Sequence, residues 1–286
     1  MMELTDMQVI RSLAKRTGFT FSKGLGQNFL IDPEVCPAIA EYGIPSRECG
    51  VLEIGTGFGV LTYQLALHSE CVRAVELDRR LEPVLKETLA EFDNIRVIWQ
   101  DFMKLDLPAF LAEQFGERDV AVCANLPYYI TSPILMHLLE SNVKLASITV
   151  MVQKEAAERL CADLGTRAAG AVTAAVRLRG SAEQLFSVPR DSFYPAPKVD
   201  SAVIRITPYQ NPLCDADMLA KTLRVVKAGF AQRRKTAVNG LAAGLDLPKE
   251  QVAAALAACG QSETVRFEQL DTDTLLRLTE TLYAGE

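Results

Sequence analysis

Val51-Leu-Glu-Ile-Gly-Thr-Gly-Phe-Gly59 joins a short apolar run to three glycines at alternate positions, and a helical pattern follows over 60–67. A strand that breaks into glycines and restarts as a helix is the opening turn of a βαβ unit. Glycine permits the tight turn and lets the backbone approach a ligand closely. The spacing is G-x-G-x-G, not the G-x-G-x-x-G of dinucleotide enzymes, which fits a nucleotide-type cofactor that lacks a pyrophosphate.

Reading outward from this turn, strands are expected at 72–77, 95–99, 119–124 and 146–152. Helical patterns cover 79–92, 105–115, 132–140 and 154–164, with Pro83 and Ser132-Pro133 near two of the starts. This alternation predicts an α/β fold with a parallel sheet covered on both faces. Upstream lie a helix over 5–17, a loop containing Gly24 and Gly26, and a helix entered through Asp32-Pro33. Downstream, 182–188 and 199–207 read as strands joined by the Pro-rich stretch Phe193-Tyr-Pro-Ala-Pro197, an antiparallel hairpin added at the sheet edge. Asn211-Pro212 then breaks the chain, and 215–232, 235–243, 248–258 and 271–282 all read as helix. The expected division is 1–210 as a cofactor-binding domain, with 1–30 forming an N-terminal helix and lid loop, and 211–286 as a small all-α C-terminal domain.

The ends of the first four alternating strands carry the chemistry. Gly55 follows the first, Glu76 ends the second, Asp101 follows the third and Asn125 ends the fourth. Ligands of open α/β sheets bind outside the carboxyl ends of the strands. An acid at position 76 suits the two hydroxyls of a ribose, and Asp101 is placed to accept from an adenine amine. Asn125-Leu-Pro-Tyr128 suits a planar base with an exocyclic amine. The Asn125 side-chain oxygen and a neighbouring backbone carbonyl would accept both N–H bonds, turning the amine lone pair toward an electrophile. Pro127 pre-sets the turn, and Tyr128 would stack on the base. Phe193 reads equally as a core aromatic or as a second face for that base.

These motifs resemble the S-adenosylmethionine-dependent methyltransferases of the Rossmann type, and more closely the ribosomal RNA adenine N6-dimethyltransferases, the small-subunit branch above all. The resemblance rests on Leu25-Gly-Gln-Asn-Phe-Leu30, Glu53–Gly59, Val75-Glu-Leu-Asp78, Gln100-Asp101, Asn125–Tyr128, Met151-Val-Gln-Lys154, Phe193-Tyr-Pro-Ala-Pro-Lys-Val-Asp-Ser201 and Gln232-Arg-Arg-Lys-Thr236. It implies S-adenosyl-L-methionine as cofactor. Gln27, Asn28 and Leu30 would form a lid, Gly55 and Gly57 would pass its methionine part, Glu76 would hold ribose, Asp101 the adenine amine, and Phe102 or Met103 the adenine face. Asn125 would face both cofactor and target base and, with Leu126, Tyr128 and Phe193, would form the catalytic end. The implied reaction is N6,N6-dimethylation of two adjacent adenosines near the 3′ end of 16S rRNA in an assembling small subunit. The related macrolide-resistance methyltransferases of large-subunit rRNA, which typically carry Ile where Leu126 stands, and a non-catalytic rRNA-binding assembly factor are the alternatives.

Charge patterning bears on the partner. The net charge is −6, yet 190–240 holds nine Lys and Arg against four Asp and Glu. Lys23, Arg224, Lys227, Arg233, Arg234 and Lys235 are the candidate phosphate contacts. Seven cysteines without a C-x-x-C pair, and two histidines, assemble no metal-ligand cluster from spacing. Free thiols fit a reducing cytoplasm. No run approaches the roughly 20 apolar residues of a membrane span, no signal peptide is visible, and a monomer is expected. Cys123 could serve as a nucleophile, but its apolar strand argues for inert packing.

Overall fold

The computed structural model describes residues 3–20 and 28–284. Nine strands run in chain order: β1 (Phe29–Leu30), β2 (Gly50–Ile54), β3 (Val72–Glu76), β4 (Ile95–Trp99), β5 (Val120–Asn125), β6 (Ser147–Gln153), β7 (Gly180–Val188), β8 (Phe193–Tyr194) and β9 (Ser201–Pro208). The helices of the first half are α1 (Met7–Thr17), α2 (Val35–Gly43), α3 (Val60–His68), α4 (Glu82–Thr88), α5 (Leu107–Phe115), α6 (Thr131–Glu140) and α7 (Lys154–Cys161). Those of the second half are α8 (Ala171–Arg179), α9 (Ala216–Ala231), α10 (Ala237–Leu245), α11 (Lys249–Ala258) and α12 (Thr272–Leu282). Among the described residues no helix is long and apolar enough to cross a membrane.

Two compact units divide the chain. The first runs through Ala157 and takes back Glu183–Pro208; the second comprises Glu158–Ala182 and the chain from Tyr209 onward. The α8 segment, which the sequence places before the boundary near 210, therefore groups with the C-terminal helices. Its small-residue run gives little helical periodicity by which to recognise it.

In the first unit a seven-stranded sheet has the order β4-β3-β2-β5-β6-β9-β7. The five strands from β4 to β6 pair in parallel, and β9 runs antiparallel to β6 with Val150 opposite Ile204. All six residues of β5 but Asn125, and all seven of β6 but Gln153, are buried, as strands covered on both faces must be. The two late strands do add to the sheet as expected, but β9 inserts next to β6 and leaves β7 at the edge. A second, two-stranded sheet pairs β1 with β8, setting Leu30 opposite Phe193. α1 is capped by Asp6, whose carboxylate accepts from Gln8 N–H, and ends at Gly18 with φ 69°.

The second unit is helical and packs closely through glycines. A Cβ on Gly229 of α9 would lie 2.2 Å from the Phe267 ring, and one on Gly244 of α10 would lie 2.5 Å from the Ala228 Cβ. Alanine raises helix propensity by about 1 kcal/mol over glycine, but a ring held in a buried position cannot yield that much space. Gly229→Ala is expected to destabilise this unit by about 1–3 kcal/mol, read as a lower urea midpoint. A midpoint equal to or above wild type would show that Phe267 can move aside.

Candidate active site

β2 and β5 lie side by side, with Glu53 opposite Cys123. The chain leaves them in opposite directions: β2 leads outward through β3 to β4, and β5 leads to β6 on the other side. This is the topological switch point at which α/β sheets open a crevice. The loop leaving β2 lines the crevice with Gly55 and Gly57, and Gly55, Gly57 and Gly59 have φ of 79°, 52° and 85°, a left-handed region costly to residues bearing a Cβ. Glycine at these positions is what allows the strand to turn into α3 in so few residues.

One cleft gathers most of the residues singled out in the sequence: Asn28, Leu30, Gly55, Gly57, Glu76, Asp101, Phe102, Met103, Asn125, Leu126, Tyr128 and Phe193. Gln27 and Lys23 lie outside the described residues. Glu76 is buried and already holds the glycine loop: Thr56 N–H donates to its Oε2 at 2.8 Å, the Thr56 hydroxyl to the same oxygen at 3.0 Å, and Asp78 N–H to Oε1 at 2.8 Å. A carboxylate offers about four lone-pair sites, so capacity remains for a hydroxyl donor from a ligand. Asp101 Oδ1 accepts from Met103 N–H at 3.0 Å, and Lys104 Nζ lies 3.7 Å from Oδ2, which leaves the carboxylate acceptor capacity. Phe102 is buried, with its ring edge-on to His137 at 5.5 Å between centroids.

The turn after β5 is held from several directions. Leu126 N–H donates to the Met151 carbonyl at 3.1 Å. The Pro127 carbonyl accepts from Ile130 N–H at 3.1 Å and from the Thr131 hydroxyl at 3.2 Å. With the Pro127 carbonyl so engaged, the neighbouring acceptor beside Asn125 is the carbonyl of Leu126. The Leu126 side chain is buried, so only its main chain can take part in chemistry. Among the described residues the Asn125 carboxamide makes no hydrogen bond. Tyr128 is anchored by a 2.6 Å bond between its hydroxyl and Ser201 Oγ. Burial pushes the phenol pKa up and the Ser201 bond pulls it back. The neighbouring Tyr129 is 62% exposed at the mouth of the cleft.

Phe193 is 3% exposed and also lines the cleft, so the two roles read from the sequence are not exclusive. The segment bearing Asn28 and Leu30 is joined to it: Ile31 N–H donates to the Ser192 carbonyl at 2.8 Å, and the Ser192 hydroxyl to Asp32 Oδ2 at 3.0 Å. Asp32 thus works on both sides: its Oδ1 accepts from Glu34 N–H at 3.1 Å at the entry to α2, as its place before Pro33 predicts, while its Oδ2 ties the N-terminal segment down.

The other candidate phosphate contacts belong to the second unit. Arg224 and Lys227 are exposed on α9, three positions apart, and Arg234 and Lys235 are exposed in the turn after it. Arg233 does internal work instead: its guanidinium donates to Glu268 Oε2 at 2.8 Å and to the Arg167 carbonyl at 2.9 Å, which argues against it as a free phosphate contact. None of the seven cysteines is in a disulfide. Cys123 is fully buried and its thiol is pushed far up, by burial first and then by Glu53, which leaves no thiolate for nucleophilic attack.

Among the further cleft residues that sequence reasoning did not single out are Thr56, Leu77 and Glu53. Thr56 is the hydroxyl on Glu76, and Leu77 is 57% exposed on the crevice side. Glu53 is fully buried, and neither carboxyl oxygen has a hydrogen-bond partner among the described residues. The sequence signal was there in Glu53 itself, an acid inside an apolar strand. Burial pushes its pKa from an ordinary 4.5 to about 8, with the Thr62 hydroxyl opposing and the Glu76 charge adding. In the folded chain this acid keeps its proton up to about pH 8, whereas the unfolded chain releases it near 4.5. Between those values the unfolded state binds fewer protons, so stability falls as pH rises. Without ligand, the Tm difference between Glu53→Gln and wild type is expected to move in the variant's favour from pH 5 to pH 8. A difference independent of pH would show that the acid ionises normally.

The chain matches the family model described as ribosomal RNA adenine dimethylase over residues 18–282. It is 44% identical to the ribosomal RNA small subunit methyltransferase A of Geobacillus thermodenitrificans, covering 95% of this chain and 94% of that one. Among solved structures, a dimethyladenosine transferase from Plasmodium falciparum is similar at 26% identity and a TM-score of 0.69, over 87% of this chain and 95% of that chain. The 23S rRNA methyltransferase ErmE is similar at 30% identity and a TM-score of 0.66, over 89% and 99%.

Proposed function

The chain belongs to the ribosomal RNA adenine dimethylase family, and on that footing we propose that it places methyl groups from S-adenosyl-L-methionine on N6 of two adjacent adenosines near the 3′ end of 16S rRNA in an assembling small subunit. The choice of small-subunit over large-subunit rRNA is supported by 44% identity to the small-subunit relative against 30% to ErmE. Leu126, where the large-subunit enzymes typically carry Ile, agrees with it.

The observation that carries the reading is the carboxamide of Asn125, without a hydrogen bond among the described residues, in one cleft with the glycine loop, Tyr128 and Phe193. The cleft's donors fit the cofactor. Glu76 keeps an acceptor site for a ribose hydroxyl, Asp101 Oδ2 keeps one for an adenine amine, Phe102 or Met103 would supply the adenine face, and Gly55 and Gly57 admit the methionine part without side chains. Asn28 and Leu30 line the same cleft and would form part of a lid. When bound, the cofactor supplies an electrophilic methyl on a sulfonium whose leaving group is a neutral thioether.

This chain's part is to position the amine. Asn125 Oδ1 and the Leu126 carbonyl accept the two N–H bonds of the target, which turns its lone pair out of the ring plane toward the methyl. As the nitrogen gains positive charge these acceptors stabilise it, and they are fixed before the reaction begins. Tyr128 and Phe193 hold the base after it leaves its stack, a cost that base-modifying enzymes meet through such contacts. No strong base is required, because the ammonium product is acidic enough to lose its proton to water. Arg224, Lys227, Arg234 and Lys235 would engage phosphates.

Incubation with labelled S-adenosylmethionine and undermethylated small subunits is expected to put label into dimethyladenosine of the small subunit. Label in large-subunit rRNA alone would move the chain to the macrolide-resistance branch. Tight RNA binding with no transfer to either would leave a non-catalytic assembly factor.

A further inference from the structure

Glu53 has a place in the cleft that the mechanism above does not use. It sits at the carboxyl end of β2, two residues before Gly55, and lines the cofactor cleft. It is fully buried, and neither oxygen finds a hydrogen-bond donor among the described residues. A buried carboxylate in that condition is unstable unless a cation or donors come to it. The ionisable group that acts on it is another acid, Glu76 at the end of β3, and Glu53 in turn raises the thiols of Cys36 in α2 and Cys123 in β5. The Thr62 hydroxyl of α3 is the single neutral polar group that opposes the shift. Among the described residues no cation acts on Glu53.

The ligand supplies one. S-adenosylmethionine carries a sulfonium, an ammonium and a carboxylate, a net +1, and S-adenosylhomocysteine has lost the sulfonium charge. Resting on the cofactor reading given above, we propose that Glu53 senses the charge of the cofactor sulfur, facing the sulfonium as a carboxylate and the thioether product as a neutral acid. The proton balance follows. Glu53 gives one proton to solvent when the charged cofactor enters, and takes one back from solvent once the methyl has left and the sulfur is neutral. The empty site and the product complex then share one protonation state. The cleft thereby favours cofactor over spent product, although the two differ by a single methyl group and its charge.

Titration calorimetry tests this with S-adenosylmethionine and S-adenosylhomocysteine as the probes. It should be run in two buffers of different ionisation enthalpy at pH 6.5, below the roughly 7.7–8.0 at which an α-amino group titrates. Wild type is expected to release most of one proton on binding S-adenosylmethionine and far less on binding S-adenosylhomocysteine. Glu53→Gln should release none with either ligand. Its preference for the charged ligand should shrink by about tenfold, the equivalent of one unit of pKa difference between the two complexes. Equal proton release by wild type with both ligands would overturn the sensor, and that measurement does not depend on the variant folding. Failure of wild type to bind either ligand would instead overturn the cofactor reading beneath it.

Discussion

Asn125→Ala is expected to lower kcat for methyl transfer by about 10²–10³-fold, the range seen when one preorganised polar group facing a developing charge is removed. Affinity for S-adenosylmethionine and for small-subunit RNA should change little. The reason for the separation is local. Asn125 ends β5, but the turn beyond it is held by Leu126 N–H on the Met151 carbonyl, by the two bonds to the Pro127 carbonyl and by Tyr128 on Ser201. None of these uses the Asn125 side chain, so truncation removes an acceptor without loosening the site. A loss concentrated in KM for RNA would mean that Asn125 binds the base without activating it. Turnover at the wild-type rate would remove it from the mechanism and leave the Leu126 carbonyl to hold the amine alone.

That separation could not be read from the sequence, although Asn125 could. Short apolar strands followed by Gly55, Glu76, Asp101 and Asn125 have a period and an order, and both survive in the structure because parallel strands must be apolar throughout and must end at the ligand face. Sheet order is a different kind of information. Nothing in the pattern of 199–207 says that β9 lies next to β6 and inside β7, since pairing partners so distant in the chain leave no local signature. β1 and β8 are two residues each, too short for any periodicity, yet they are what sets Leu30 against Phe193. The same limit hid the role of Arg233, which reads as one more cation in a basic run until its bonds to Glu268 and to the Arg167 carbonyl are seen. Glu53 was legible as an oddity, but that neither of its oxygens finds a hydrogen-bond partner among the described residues is a fact of packing, and only the fold shows it.

Glu76→Gln should be the most damaging conservative change in the cofactor half of the cleft. The expected role of Glu76 toward ribose is only part of its work, because its carboxylate already accepts from Thr56 N–H, the Thr56 hydroxyl and Asp78 N–H. Those donors reach two different oxygens. Glutamine presents one oxygen and one NH₂, so whichever way the amide is turned a buried backbone N–H faces another donor. Leaving one such group unsatisfied costs about 1–3 kcal/mol, and here the cost falls on the loop that carries Gly55 and Gly57. Affinity for S-adenosylmethionine is expected to fall by about 10–100-fold, since each 1.4 kcal/mol is tenfold in Kd, and Tm should drop with it. Thr56→Ala removes the hydroxyl but keeps the backbone donor, so its loss should be the smaller of the two. If Glu76→Gln weakened binding with Tm unchanged, the carboxylate would be serving the ribose alone and the glycine loop would be holding its shape without it.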